Sequence, residues 1–304
     1  MIEQSSQKSA FVALVGRPNV GKSSLLNRLL GEKVAIVSPK PQTTRTRITG
    51  VLTRGETQLV FIDTPGLHQP KTALARYMVK QVNDSVADVD LAVLVTEPGE
   101  GLSKADQSLI ESFQKLRIPA IAVINKIDTL RDKRLMMAKI QQLSDAYAFD
   151  HIVPVSARTG EGADRLLELL LSYGMEGGHF FDPDTVTDQP ERVLCAEIIR
   201  EKVLRLMQDE IPHGIAVTIE EMKERPDADP GQELVDIRAT IYCERDSHKG
   251  MIIGKGGQML KRIGTNARED MEAFLGVKVN LQCWVKVKTD WRNEERFLRN
   301  FGFQ

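Results

Sequence analysis

Cysteine is the first thing this chain is short of. Its three thiols, Cys195, Cys243 and Cys283, are odd in number, far apart and free of any Cys-x-x-Cys pair, which speaks against a disulfide framework and against a zinc site. A reducing compartment, the cytoplasm, fits that usage. The five histidines are equally scattered, so no His-rich metal centre is indicated. A surplus of either charge is missing too. With a net charge of -1 the chain has no global attraction for polyanions, and any nucleic-acid surface has to be local. Long apolar runs are also lacking. None approaches the roughly 20 residues that cross a bilayer, and the first ends at Gly16, which predicts no signal peptide. What is there, 41% hydrophobic residues in a chain of 304, supports two packed domains and not disorder.

The most informative stretch is Gly16 to Ser23, reading Gly-Arg-Pro-Asn-Val-Gly-Lys-Ser. The apolar run Phe11 to Val15 precedes it, and Ser24 to Leu30 follows with helical spacing and Gly31 as a stop. Strand, glycine turn and helix thus come in the order that a phosphate loop requires. Gly16 and Gly21 let the backbone bend around an anion, so that N–H groups and the helix N-terminus point at phosphate oxygens. Lys22 adds a point charge on the outer phosphates, and the Ser23 hydroxyl is placed to meet Mg²⁺. Arg17, Pro18, Asn19, Val20 and Ser24 complete the nucleotide-binding stretch.

Lys33 to Arg47 is polar and broken by Pro39 and Pro41, which predicts a loop. Ile48 to Arg54 and Thr57 to Ile62 flank Gly55-Glu56 and predict a hairpin, hence one antiparallel strand on an otherwise parallel sheet. The second of these strands ends in Asp63-Thr64-Pro65-Gly66. A carboxylate there can hold Mg²⁺, and the N–H of Gly66 can reach a terminal phosphate. Val89 to Val95 and Pro119 to Ile124 predict strands buried on both faces, with a helix from Ser103 to Leu116 between them. The second strand delivers Asn125-Lys126-Ile127-Asp128. Asp128 can accept from both the ring N–H and the exocyclic amine of guanine, whereas adenine presents an acceptor in place of the first donor. Asn125 is suited to tie loops together, and the stem of Lys126 to cover the base plane. After a helix over Asp132 to Phe149 and a strand over Ile152 to Val155 comes Ser156-Ala157-Arg158, whose Ser-Ala backbone can touch the guanine carbonyl. A helix over Glu161 to Tyr173 ends this half.

Gly16 to Ser23, Thr44, Asp63 to Gly66, Asn125 to Asp128 and Ser156 to Arg158 together resemble the five ordered motifs of a translation-factor-class P-loop GTPase domain. That resemblance implies an α/β fold, a mostly parallel sheet with helices on both faces, over residues 1–174. It implies that the chain binds GTP and GDP and hydrolyses the first to the second. Ser23, Thr44 and Asp63 would hold Mg²⁺, and Lys22, Thr44, Gly66 and Asn19 would be nearest the chemistry. Thr44, assisted by Thr43, would be the switch residue, and loss of the last phosphate would release Lys33 to Arg47 and the stretch after Gly66. One departure matters: Leu67 stands where Ras-like enzymes have the glutamine that orients the attacking water. Slow intrinsic hydrolysis is the expectation. Asn19 reads either as the asparagine that in related GTPases helps bind an activating K⁺ ion or as a loop-stabilising hydrogen-bonding residue. Arg45 and Arg47 read as solvated switch-loop charges in preference to arginine fingers.

Gly174 to Pro190 has no apolar period and reads as a linker over 175–190. Glu191 to Met207 has helical spacing at Val193, Ala196, Ile199, Val203 and Leu206. Three alternating strands follow, led by Ile215-x-Val217-x-Ile219, then Val235 to Ile241 and Val277 to Val287. This order predicts an α+β layer over 191–304. Before the last strand lies Ile252-Ile253-Gly254-Lys255-Gly256-Gly257, and here the sequence resembles a KH domain. Its Gly-x-x-Gly turn would let a sugar-phosphate backbone approach while Lys255 and Lys261 neutralise charge and bases lie in an apolar groove. From His248 to Lys288 eight basic residues face three acidic ones, a local surplus of five. Lys286 shares the polar face of the last strand with Trp284, which reads as a base-stacking platform or as a cover for a neighbouring element. Asp290 to Phe301 predicts a closing helix on this sheet.

The whole chain resembles the bacterial Era family, GTPases with a C-terminal KH domain. That resemblance implies a monomeric switch that binds the 3′ end of 16S ribosomal RNA and acts in assembly of the 30S subunit. It also implies some peripheral contact with the cytoplasmic face of the inner membrane. The alternative it leaves is a membrane-associated signalling GTPase whose KH domain is mainly a scaffold.

Overall fold

A computed structural model describes residues 7–40, 42–66, 72–99, 101–207, 214–225 and 233–301. It divides into two compact units, one of Met1–Ala35, Thr44–Pro70 and Met78–Asp188, the other of Ile36–Thr43, Lys71–Tyr77 and Gln189–Gln304.

In the first unit a sheet runs in the order β2 (Ile48–Arg54), β3 (Thr57–Asp63), β1 (Lys8–Val15), β4 (Leu91–Thr96), β5 (Ala120–Ile124), β6 (His151–Pro154). β1 is parallel to β3 and β4, β4 to β5 and β5 to β6, while β2 turns back on β3 as the hairpin predicts. A two-residue strand, β7 (Met175–Glu176), adds a second antiparallel pairing along β1. β4 and β5 are buried along their whole length, because helices cover both faces and each fully buried Val, Leu or Ile side chain stabilises by about 1.5–3 kcal/mol. The period of two then divides the core. Leu14, Phe61 and Val93 face α1 (Lys22–Leu30) and α5 (Ala163–Leu171). Ala13, Leu94 and Ala122 face α2 (Ala73–Ala87), α3 (Lys104–Leu116) and α4 (Lys133–Ala146). Ser103 caps α3 in a reciprocal box with Asp106, satisfying N–H groups that the helix itself cannot. Because β1, β3, β5 and β6 are co-directional, the loops after them emerge at one sheet edge, where ligands of open α/β sheets bind.

The stretch that composition marks as a linker is not loose over 175–188. Gly177 N donates to the Gln7 carbonyl at 2.9 Å, Val51 N to the Val186 carbonyl at 2.8 Å, and the Gln58 side chain brackets Phe180 and Phe181. Phe180 packs edge-on against Phe11, with centroids 4.8 Å apart. Its backbone groups are satisfied by the first unit without an apolar period, which is why periodicity missed it.

The second unit has a three-stranded sheet in the order β10 (Lys278–Val287), β9 (Leu234–Cys243), β8 (Ala216–Glu224), with β10 parallel and β8 antiparallel to β9. Helices α6 (Glu191–Leu206), α7 (Asp246–Ile253) and α8 (Gln258–Leu275) supply Ile199, Ile252, Ile263 and Met271 to a core with Ile237, Ile241, Val279 and Val285. The order is the α+β arrangement predicted. The α6 register differs from the expectation. Leu194, Cys195, Ile198 and Ile199 are buried while Val193 is exposed, since Cys195 and Ile198 rather than Val193 lie on the sheet-facing stripe. The closing segment is split into a 3₁₀ turn at Trp291–Asn293 and a short helix α9 (Glu295–Asn300), because Asp290 is left-handed and Glu294 extended. Trp291 is buried, its indole N–H donates to the Gly214 carbonyl at 3.0 Å, and Phe301 meets it edge-on. Among the described residues no helix is long and apolar enough to cross a membrane.

Candidate functional site

Gly16 and Gly21 shape the loop between β1 and α1. Gly16 has φ 147°, and a Cβ there would lie 2.3 Å from the Val95 carbonyl oxygen. Gly21 has φ 95°, and a Cβ would lie 2.3 Å from the Asn125 amide nitrogen. Both sites therefore demand glycine. Asn19 is also left-handed at φ 65°, a conformation asparagine tolerates better than other side chains. Gly66 closes on this loop from the end of β3: a Cβ there would come within 2.5 Å of Pro18 N.

At the floor, buried Lys22 donates from Nζ to the carbonyls of Gly16 and Arg17, each at 3.0 Å. Desolvation lowers its pKa to about 8, against the opposing pull of Asp63 and Asp106. Ser23 Oγ donates to Asp63 Oδ2 at 2.6 Å and lies 2.8 Å from Thr44 Oγ1. Asp63 is fully buried, and burial raises its pKa to about 6 despite Lys22, Ser23 and Thr44. Its Oδ1 has no hydrogen-bond partner among the described residues. A buried carboxylate with one oxygen unsatisfied, beside two hydroxyls, is an oxygen-rich donor set suited to a hard divalent cation. Thr64 stands apart from the opening, its hydroxyl donating to the Leu14 carbonyl at 2.9 Å.

The other end is built by Asn125. Its Nδ2 donates to the Val20 carbonyl at 2.9 Å, and its Oδ1 accepts from Ala157 N at 3.0 Å, so one side chain joins the phosphate loop to the loops after β5 and β6. Asp128 accepts from Ser156 Oγ at 2.6 Å and pairs with Arg158 at 2.6 Å. The serine bond first, then the Arg158 charge, holds its carboxyl below the usual range, leaving it ionised and acceptor-only at neutral pH. Lys126 is left-handed at φ 65° and its Nζ pairs with Glu97 at 2.9 Å.

Two residues here went unread. Glu97, just past β4, bridges Lys126 and Arg17. Arg28 of α1 donates to the carbonyls of Ala157 and Arg158 at 3.0 and 2.9 Å, and a helical arginine carries no signal of that. Arg47 is exposed, whereas Arg45 is buried, which corrects its reading as a solvated charge. Leu67 lies outside the described residues.

In the second unit Gly254 (φ 72°) ends α7 and Gly257 (φ 79°) begins α8. A Cβ on Gly254 would meet Met259 Cβ at 2.6 Å, so this glycine lets the turn fold onto α8. Lys255 and Lys261 are exposed. Beside them lies a groove of about 390 Å³, lined by Gly257, Leu260, Lys261, Arg268, Leu281 and Cys283. Two expected RNA residues are misplaced for it. Ile252 is fully buried in the core, so its side chain supports the turn from behind; Ile253 is partly buried. Lys286, with Trp284, sits on the opposite face of β10 from Leu281 and Cys283, as a period of two requires. Among the described residues no cluster of three or more His, Cys, Asp or Glu side chains is placed to hold a metal.

Known proteins share this arrangement. Residues 11–126 match the family described as 50S ribosome-binding GTPase, and residues 210–292 match the KH domain. GTPase Era of Clostridioides difficile (strain 630) is 50% identical, covering 97% of this chain and 98% of its own length. GTPase Era of Alkaliphilus metalliredigens is 46% identical, covering 98% and 100%. Two solved structures superpose with a TM-score of 0.92 at 41% identity, covering 98% of this chain and 99% of theirs. They are a point variant of Aquifex aeolicus Era bound to GDP and AlF4-, and Era in complex with MgGDPNP and nucleotides 1506–1542 of 16S ribosomal RNA. With 46–50% identity to these relatives along almost its whole length and the same two-part architecture, this protein belongs to the Era family of GTPases.

Proposed function

We propose that this GTPase uses its nucleotide state to control the grip of residues 191–304 on 16S ribosomal RNA near its 3′ end, and that it acts in assembly of the 30S subunit from the cytoplasm as a monomer. The observation that carries the RNA reading is the exposed Gly254–Gly257 turn. It stands at the N-terminus of an 18-residue helix beside a partly apolar groove, a surface suited to phosphate at the turn and bases in the groove. RNA crosslinking and sequencing with the GTP-analogue and GDP forms tests it. Enrichment of the 3′ end of 16S RNA in the analogue form is expected, and crosslinks indifferent to nucleotide would refute the coupling.

Residues 16–24 would bind the phosphates through backbone N–H groups and the α1 N-terminus, with Lys22 neutralising the outer ones. Asp63, Ser23 and Thr44 would hold Mg²⁺, which when bound neutralises charge on the phosphate oxygens. The Gly66 N–H would report on the last phosphate. Asn125 holds the base loops together, Asp128 reads guanine and Lys126 covers its plane, alongside Ser156, Ala157 and Arg158. With Leu67 in place of a water-orienting side chain, hydrolysis without partners is slow, and the nucleotide acts as a timer. Asn19 would add K⁺ near the phosphates, where a second cation stabilises developing charge. Single-turnover hydrolysis is then at least about tenfold faster in KCl than in NaCl, a difference of about 1.4 kcal/mol in barrier. Equal rates would return Asn19 to a loop-stabilising role. The peripheral membrane contact implied by the family is carried by no residue described above.

A further inference from the structure

Helix α8 carries a glycine at its middle that nothing in its own unit requires. Gly264 lies inside the continuous helix Gln258–Leu275, away from both ends, so neither a cap nor a left-handed turn calls for it. A Cβ there would meet no neighbouring atom within 4 Å. Gly254 is different, since a Cβ on it would collide with Met259. A glycine in a helix interior is destabilising relative to alanine, because it leaves more backbone freedom to the unfolded chain. Alanine would fit at 264 and would strengthen the helix.

The space in front of Gly264 is the groove beside the Gly254–Gly257 turn. On the α8 side it is lined by Leu260, Lys261, Gly264, Thr265 and Arg268, whose three-and-four spacing is that of one helix face. Leu281 and Cys283 of β10, both partly buried, form the facing wall. The far end of the groove is braced. Glu272 accepts from Arg268 at 2.9 Å and from the N–H of Val279 in β10 at 3.2 Å, which ties helix to strand and holds the gap between them open. At the near end the turn lies about 10 Å from Gly264 along the helix axis, with exposed Lys261 between them. An RNA strand whose phosphate is held at the turn brings its neighbouring bases to this gap.

We infer that Gly264 sets the specificity of the groove: its missing side chain lets one unpaired RNA base lie against the α8 backbone, facing Leu281 and Cys283. This rests on the reading of residues 191–304 as the RNA-binding part, and within it assigns the glycine to the ligand and not to the fold. Sugar and phosphate alone need no such depth, whereas a planar ring does.

The test uses the full chain with Gly264→Ala and Gly264→Leu, both better helix formers than glycine. The two tryptophans of the chain, Trp284 and Trp291, are both in this unit, so tryptophan fluorescence follows its unfolding within the whole protein. Gly264→Ala is expected to melt at or above the wild-type Tm; a lower Tm would reveal a packing role and overturn the inference. Binding is read by anisotropy with an oligonucleotide covering 16S nucleotides 1506–1542 and with a series in which one nucleotide at a time is abasic. Gly264→Ala should weaken the intact oligonucleotide about tenfold and Gly264→Leu about 100-fold, as side-chain volume enters the space of the base. At one abasic position the wild type should lose affinity to the level of Gly264→Ala, and the two proteins should then bind alike. Equal binding of the intact oligonucleotide by wild type and Gly264→Ala, or a deficit of Gly264→Ala that persists at every abasic position, overturns the inference while the RNA reading stands. A wild type that does not bind the oligonucleotide refutes the RNA reading and the inference with it.

Discussion

Asp128→Asn will lose guanine nucleotides and gain xanthine nucleotides. In the wild type the Asp128 carboxylate is held ionised by Ser156 and Arg158, so in the proposed role both its oxygens would accept from the two donors on guanine's edge. An asparagine keeps one acceptor and turns an NH₂ towards the other guanine donor, replacing an attraction by a donor–donor conflict. Two charge-assisted hydrogen bonds are each worth about 1.5–3 kcal/mol, which places the loss of GTP affinity at roughly 10²- to 10⁴-fold. Xanthine carries a carbonyl where guanine carries the amine, so the new NH₂ has a partner and XTP binds. The variant should fold normally. The Arg158 side chain it releases is largely exposed, and exposed pairs contribute little to stability. Calorimetry with GTP, XTP and ATP reads the outcome. GTP affinity within a few-fold of wild type would mean that Asp128 does not face the base. Retained hydrolysis of XTP would show that the phosphate side, built on Lys22, Ser23 and Gly66, works independently of base identity.

The parts of this protein legible from sequence are those where backbone geometry and chemistry coincide. Gly16 and Gly21 announce the loop because no other residue fits there, and the apolar runs ahead of Asp63 and Asn125 announce strands that end at one edge. Asn125 is the clearest case of a residue type predicting its geometry, since its amide offers a donor and an acceptor on separate atoms and so reaches Val20 and Ala157 at once. The illegible parts are polar residues whose burial depends on segments distant in sequence. Arg200-Glu201 in a helix has the appearance of a solvated face, and only the placement of Ile36–Thr43 shows otherwise. Glu97 is one acid after one strand, with no pattern to distinguish it from a surface charge. Ile252 lies in the core behind the turn, and the alternation of Val279, Leu281, Cys283 and Val285 puts Lys286 on the face of β10 away from the groove. A basic count along a sequence registers charge but not the side on which it lies.

That difference in side makes the second large effect decisive. Lys255→Asp combined with Gly256→Asp should abolish high-affinity RNA binding while leaving nucleotide binding intact. The fold tolerates both changes. A Cβ on Gly256 meets nothing within 4 Å, its φ of 59° is a left-handed conformation that aspartate accepts at modest strain, and Lys255 is exposed. Carboxylates next to the first turn of α8 interact favourably with its dipole, so the helix is not weakened. They would occupy the place where phosphate oxygens are proposed to sit, and they change the local charge from one positive to two negative. A loss of about 100-fold or more in affinity for a 16S 3′-end oligonucleotide is expected at low salt, with the slope of log affinity against log salt reduced by about 0.7 for the phosphate contact removed. Fluorescence anisotropy at two salt concentrations measures both quantities, and GDP affinity on the same preparation checks the fold. A variant that binds RNA as well as wild type would move the interface off the Gly-x-x-Gly turn. The face of β10 carrying Trp284 and Lys286, where the tryptophan is 46% exposed, would then be the next surface to test, and a Trp284→Ala loss of binding would assign it.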